Sequence, residues 1–260
     1  MVVWVSSAPP SGRVPSLPMR ISRSLLVRSA SRTDISMAVR PGGGRPLERT
    51  AGEAATGDAG DRAAPSSASA GPGGMPEHGT VVGVLLAAGA GTRYGMPKIL
   101  AHQGDWLRAG VDALGDGGCG QVLVTIGAAA PEMPGGARAV QVPDWRRGLS
   151  ESVRTALLEA ADVPDLVGVV LHVVDIPDVT GEQVRRLLDA CGPRPDRLGR
   201  AGFAGSAGHP VYLGADHLDG VLESLSGGRG AGPYLAARTD VIEVDCTDLG
   251  TGLDHDRPDV

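Results

Sequence analysis

Val81-Val82-Gly83-Val84-Leu85-Leu86 runs straight into Ala87-Ala88-Gly89-Ala90-Gly91-Thr92-Arg93-Tyr94-Gly95-Met96-Pro97-Lys98, and the reading of this stretch decides the fold. The opening run is apolar throughout, with no alternation, and glycines follow at once. A strand of that texture is buried on both faces, as a central strand of a parallel sheet is. Comparable runs recur at Gln121–Ile126, Leu166–Val174 and Val241–Val244. Helical patterns lie between them, at Asp105–Leu114, Ser150–Ala161, Thr180–Ala190 and Ala215–Leu225. Ser150 reads as an N-cap, and Thr180 with Gln183 three residues on reads as a capping box. Strands alternating with helices predict an α/β, Rossmann-like three-layer sandwich around a mainly parallel central sheet. Its ligands belong at the carboxyl ends of the strands.

Outward from this core the composition divides the chain in two. Residues 1–79 hold 43 Gly, Pro, Ser or Ala residues and carry nine arginines against six acids. Residues 80–260 keep 15 basic and 24 acidic groups and six of the seven aromatic residues. So few aromatics in the first part cannot offset the entropy of ordering it, so 1–79 is expected to be a disordered tail ahead of one folded domain, 80–260. Three readings of the tail stand: initiation assigned upstream of a true start at Met75 or Met37, a regulatory tail, or a targeting segment with Arg- and Ser-rich character. The net charge of −6 argues against a nucleic-acid partner held by overall charge. No apolar run approaches the roughly 18 residues of a membrane span. Cys119, Cys191 and Cys246 form no CxxC pair and no disulfide scaffold, which points to a reducing cytoplasm.

The first strand delivers Gly89 to Lys98 to the ligand edge. Glycines there permit positive φ and let backbone N–H groups approach phosphate oxygens. The spacing of Gly89, Gly91 and Gly95 fits neither GxGxxG nor a Walker A loop. Lys98 is the only lysine of the chain, the remaining basic residues being arginines. A compact ammonium on a flexible stem suits a phosphate contact. Leu166–Val174 ends in Asp175-Ile176-Pro177, and an acid at that position can hold Mg²⁺ against a triphosphate. Asp178 reads as a cap ahead of Thr180, and His172 as a hydrogen-bonded core histidine. Asp254 and Asp256 alternate in an extended segment and would point the same way. Gly208-His209-Pro210-Val211 reads as a loop entering a strand. Trp145 to Ser150 opens a helix whose N-terminus can face an anion, with Arg146 and Arg147 as a solvated pair.

In the order of the chain these segments resemble a known series. Leu86-Ala87-Ala88-Gly89-x-Gly91-x-Arg93-x-Gly95-x-Pro97-Lys98 is similar to the LAAGxGxRxGxPK signature of the molybdenum cofactor nucleotidyltransferase-like family. Within it the cytidylyltransferases stand nearest. Trp145-x-x-Gly148-Leu149-Ser150-x-Ser152-Val153 resembles the family's WxxGLSxS, Asp175-Ile176-Pro177 its D-[MQ]-P, Gly208-His209-Pro210-Val211 its GHPV, and Asp254-x-Asp256-x-Pro258 its DIDTP. The resemblance runs from about Val81 to Val260. Two segments depart from it. GDxGAR reads Gly227-Gly228-Arg229-Gly230-Ala231-Gly232, and DIDTP reads Asp254-His255-Asp256-Arg257-Pro258 with no helix after it.

The resemblance implies transfer of NMP from an NTP, CTP before GTP, to a phosphate-bearing acceptor of the molybdopterin type, with release of pyrophosphate. Leu86, Ala87, Ala88 and Gly89 would take the base, and Gly91, Thr92, Arg93 and Gly95 the phosphates. Arg93, Lys98 and Asp175 would be catalytic, and Asp175 with Asp256 would ligate Mg²⁺. Ser150, Gly208, His209 and Pro210 would line the acceptor side. A molybdoenzyme receiving the product is the implied partner. Guanylyl or sugar-phosphate transfer, and a non-catalytic nucleotide-binding or cofactor-insertion module, remain the alternatives.

Overall fold

The computed structural model describes residues 79–257. The tail expected at 1–79 therefore lies, Gly79 apart, outside the described residues, as does Pro258. Seven strands form one sheet: β1 (Thr80–Leu86), β2 (Gln121–Ile126), β3 (Ala137–Gln141), β4 (Leu166–Val173), β5 (Leu198–Phe203), β6 (Ser206–Gly214) and β7 (Val241–Asp245). Their order is β3-β2-β1-β4-β6-β5-β7, and β6 alone runs against the others.

Five helices cover the sheet: α1 (Asp105–Asp116), α2 (Leu149–Ala161), α3 (Gly181–Cys191), α4 (Leu218–Ser224) and α5 (Gly232–Ala236). Trp106, Leu107, Val111 and Leu114 of α1 share one core with Val184, Leu187 and Leu188 of α3. Val153, Ala156 and Leu157 of α2 share the other with Val221 of α4 and Leu235 of α5. In β1, Val81 and Leu85 face the first core while Val82, Val84 and Leu86 face the second. Both faces of β1 are thus dry, which is why its sequence shows no alternation. The result is the expected three-layer α/β sandwich.

From β1 the chain builds outward through β2 to β3, then returns across the sheet to β4. The sheet's topological switch point falls between β1 and β4, where such folds open a ligand crevice. Leu86 pairs with Thr125 on one side and Val173 on the other, so β1, β2 and β4 end level. Buried Thr125 fixes that edge: its Oγ1 accepts the Ala87 N–H at 2.9 Å.

Several local expectations are corrected. Gly148, not Ser150, precedes the first turn of α2, and it carries no side-chain cap. Its φ of +119° and the Gly227 carbonyl, 2.6 Å from where a Cβ would stand, leave room only for glycine. Ser150 is buried and donates its N–H to the Gly227 carbonyl at 3.0 Å. Gly208-His209-Pro210-Val211 lies inside β6 rather than in a loop before it. The helix expected at Ala215–Leu225 begins as a tight turn, Ala215–His217, before α4. In α3, Gln183 Oε1 accepts the Thr180 N–H at 2.6 Å, as a capping box requires.

Candidate active site

The site forms where the loops after β1 and β4 meet the C-terminal segment. After β1 the chain turns at Gly91, whose φ is +60° and whose absent Cβ would sit 1.9 Å from the Met96 carbonyl. Only glycine permits this return, which the Gly95 N–H closes by donating to the Gly91 carbonyl at 2.8 Å. The loop places Lys98 at the crevice. Its Nζ donates to Asp175 Oδ2 at 2.8 Å and to Asp256 Oδ1 at 3.3 Å, and Arg93 reaches Asp256 Oδ2 at 2.5 Å. A lysine, an arginine and two acids, 163 residues apart at the extremes of Arg93 and Asp256, therefore converge.

The backbone explains how Asp256 arrives there. The His255 N–H donates to the Asp175 carbonyl at 2.9 Å. Upstream, Asp178 Oδ2 accepts both the N–H and the hydroxyl of Thr251 at 2.7 Å. Asp178 is thus a clamp on the C-terminal segment, not the cap expected for α3. Burial works to raise its pKa, but the Thr251 hydrogen bonds prevail and hold it below the carboxylate norm. His255 packs on Trp106 at 5.3 Å, and Trp106 also meets Tyr94 and His102, so an aromatic cluster backs the Lys98 loop. Asp254 is exposed and makes no ion pair among the described residues.

Charge follows this geometry. Burial disfavours the Lys98 ammonium, yet contacts first with Asp175 and then with Asp256 outweigh it and raise its pKa. The Lys98 hydrogen bond, then Arg93, holds Asp256 below its ordinary value. Two carboxylates thus face one cation, the Lys98 ammonium. Their hard oxygens fit Mg²⁺, which takes one or two carboxylates and completes its shell with water and phosphate. Among the described residues no group of three or more His, Cys, Asp or Glu could hold a metal unaided.

A cleft of about 400 Å³ opens along this edge. Leu86, Ala87, Ala88, Gly89, Gly91 and Thr92 line it, with Lys98 and Asp175 at its end. Gly95 and Arg93 lie outside that lining. The sequence reading missed the opposite wall, where the Arg146 guanidinium stacks 4.3 Å from the Trp145 ring centroid and both residues face the cleft. Ser152, rather than Ser150, lines this wall. Arg147 is the solvated member of the pair, 3.7 Å from Asp144.

A second cavity, of about 550 Å³, adjoins the cleft and shares Leu86, Leu149 and Val173 with it. Gly208 and His209 line this cavity, while Pro210 and Ser150 do not. The departure segment lines it too, through Gly228, Arg229 and Gly230. His209 Nδ1 lies 3.3 Å from the Leu171 carbonyl, to which it donates. Beneath it His172 is buried as expected, but its Nδ1 has no partner among the described residues. Burial, and then the neighbouring His209, bring His172 down to about 3.

Fold and crevice define an α/β protein that presents its ligand sites at the switch point of a mainly parallel sheet. The profile described as "MobA-like NTP transferase domain" matches residues 83–241, and the chain belongs to this family of nucleotidyltransferases. Nicotine blue oxidoreductase of Paenarthrobacter nicotinovorans is 32% identical over 192 residues, covering 68% of this chain and 92% of that protein. Rv0371c from Mycobacterium tuberculosis H37Rv has a similar structure, with a TM-score of 0.58 and 28% identity over 69% of this chain and 94% of its own. Its homologue from Mycobacterium sp. strain JC1 matches with a TM-score of 0.58 and 29% identity, covering 68% of this chain and 90% of its own. Rv0371c has also been solved in complex with manganese; that structure matches with a TM-score of 0.52 and 26% identity over 69% of this chain and 91% of its own. No helix among the described residues is long and apolar enough to cross a membrane.

Proposed function

We propose that the protein transfers NMP from CTP to the phosphate of a molybdopterin-type acceptor, with Mg²⁺ held by Asp175 and Asp256. The observation that carries this reading is the convergence of both carboxylates on Lys98 beside a glycine-lined cleft. The Gly89–Thr92 turn lines the cleft, where its backbone N–H groups can bind phosphate oxygens. A bound divalent ion would supply charge neutralisation on the triphosphate and a template for in-line attack. Lys98 and Arg93, released from the acids as the nucleotide enters, meet the charge that grows on the leaving pyrophosphate. Arg146 meets it from the other wall. The acceptor's phosphate oxygen attacks the α-phosphorus, the bond to the bridging oxygen breaks, and pyrophosphate departs. No protein nucleophile is needed, because such catalysis is positioning and charge stabilisation.

The domain assignment is the same one: residues 80–260 carry the activity and 1–79 carry none of its chemistry. A reducing cytoplasm fits the three buried, free cysteines, since burial pushes Cys119 up to about 12 and Cys191 to about 11, where thiols are inert. A recipient molybdoenzyme would take the finished cofactor. Pyrophosphate release, measured with each NTP in the presence and absence of molybdopterin, tests the reading. Release with CTP that depends on molybdopterin is expected; CTP binding without release would favour the non-catalytic module instead.

A second reading has its own support in the apolar cavity beside the cleft and in the relative named nicotine blue oxidoreductase. A nucleotide-borne hydride donor in the cleft could reduce a conjugated compound in the cavity. Loss of absorbance from a reduced nicotinamide nucleotide, with no pyrophosphate formed, would establish that reading over the first.

A further inference from the structure

Lys98 and Asp256 meet from two segments that share no strand or helix, and one ring touches the supports of both. Trp106, in the first turn of α1, is buried and packs against three other rings. Tyr94 meets it at 5.3 Å between centroids with the planes at 53°, His102 at 5.1 Å and 29°, and His255 at 5.3 Å and 55°. Tyr94 and His102 stand four residues before and four residues after Lys98, and His255 immediately precedes Asp256. The Lys98 ammonium itself lies 6.0 Å from the Tyr94 ring centroid.

The turn after Lys98 needs such a support. His102 at φ +48° and Gln103 at φ +58° are left-handed, a conformation that residues with side chains keep only where their surroundings impose it. The stack on Trp106 supplies that constraint, with the Tyr94 hydroxyl 3.4 Å from His102 Nε2. On the other segment, the Asp178–Thr251 clamp acts five residues upstream of Asp256. The His255 ring on Trp106 adds a side-chain anchor one residue away. Asp256 has need of it, because its side chain is 46% exposed and its ion-pair partners are Lys98 and Arg93, the two cations that a triphosphate would draw off.

We propose that Trp106 is a positioning residue: its ring latches the loop around Lys98 to the segment ending in Asp256, and it keeps Asp256 at the crevice when Lys98 and Arg93 turn to the nucleotide. The last clause rests on the nucleotidyl-transfer reading; the latch rests on the four rings alone. Trp106 touches neither substrate nor metal in this role, and its effect reaches the site through Tyr94, His102 and His255.

Amide hydrogen exchange of residues 253–257, followed by mass spectrometry on the full chain without metal or nucleotide, tests the latch. His255→Ala is expected to speed that exchange about three- to tenfold, the effect of losing one aromatic pair. His255→Phe keeps a ring on Trp106 and should restore the parent rate. The Mn²⁺ dependence of pyrophosphate release with CTP reads the consequence at the site. The Mn²⁺ concentration for half-maximal release should rise about three- to tenfold in His255→Ala and return in His255→Phe, with the KM for CTP held within about twofold. Trp106→Leu, which also frees Tyr94 and His102, should show both effects at least as strongly; if it does not fold, the His255 pair decides. Exchange unchanged in His255→Ala, or no rescue by His255→Phe, would overturn the proposal. So would a KM for CTP that rises in step with the Mn²⁺ requirement, since the ring would then support the cleft as a whole. A parent chain that releases no pyrophosphate would count against nucleotidyl transfer, while the exchange rates still decide the latch.

Discussion

Lys98 bridges Asp175 and Asp256, and if these acids hold the divalent ion as proposed, the ammonium stands where that ion would stand. The ammonium and the metal–nucleotide complex therefore compete for the same oxygens. Lys98→Ala is expected to bind Mn²⁺ more tightly than the parent while its turnover falls by about 10²–10³. Weaker Mn²⁺ binding in that variant would place Lys98 as a structural support of the acids and not as their exchangeable partner. His172 gives a pH prediction of different origin. With its folded pKa near 3 and an ordinary value of 6.5, the unfolded chain takes up a proton that the native chain refuses. Stability then falls as pH drops below 6.5, by about 1.4 kcal/mol per pH unit from this one ring. Urea unfolding between pH 4.5 and 6.5 should show a shallower slope in His172→Leu, with the shift of His209 accounting for part of what remains. An unchanged slope would contradict the assignment. At this scale the sequence was readable where residue type is chemically scarce: the single lysine and the acid closing a buried strand both mark the crevice. Arg146 was not readable, because its value comes from stacking on Trp145 into the cleft, and nothing in a pair of adjacent arginines says which one faces a cavity.

Among the elements, the C-terminal segment is the one whose role exceeds its appearance. Residues from Cys246 to Asp256 form no strand or helix, yet they carry an acid to the crevice through Asp178–Thr251 and His255–Asp175 contacts. Asp178→Ala should release this segment and raise the divalent-ion concentration needed for half-maximal activity by about 10- to 100-fold, with little change in the KM for CTP. Equal changes in both would mean that Asp178 supports the cleft as a whole. The strands differ in how plainly they could be read. Val81–Leu86 and Gln121–Ile126 are continuous apolar runs because both of their faces are covered. Leu198-Gly199-Arg200-Ala201-Gly202-Phe203 and Ser206–Gly214 carry glycine, arginine, histidine and proline, which local propensity assigns to loops. Their pairing is tertiary: β6 fills the gap between β4 and β5, antiparallel to both. Pro210 fits there because it sits at the irregularity between Arg200 and Gly202, one residue before the pairing with β4 begins at Val211.

At the scale of the molecule, the described residues from Thr80 onward build a sheet of seven strands and two cores by themselves. A chain begun at Met75 is expected to keep the melting temperature and the pyrophosphate-release rate of the full chain; loss of either would assign the tail a part in folding or chemistry. The sheet order places the first glycine loop, the acid after β4 and the apolar cavity along one edge, so the cleft and the cavity follow from topology as much as from any motif. Of the two departures from the family's pattern, Gly228 to Gly232 line the cavity, while the segment from Asp254 keeps its second acid, Asp256, on Lys98, so it is the cavity that sequence resemblance describes least well.

The most direct measurement is the position of Mn²⁺, by its anomalous scattering, in crystals of the full chain grown with CTP. The account predicts one peak in contact with carboxylate oxygens of both Asp175 and Asp256, at about 2.0–2.2 Å, with triphosphate oxygens completing the shell and Lys98 Nζ displaced onto a phosphate. A peak bound by one of the two acids alone, or a triphosphate lying away from Lys98, would contradict it.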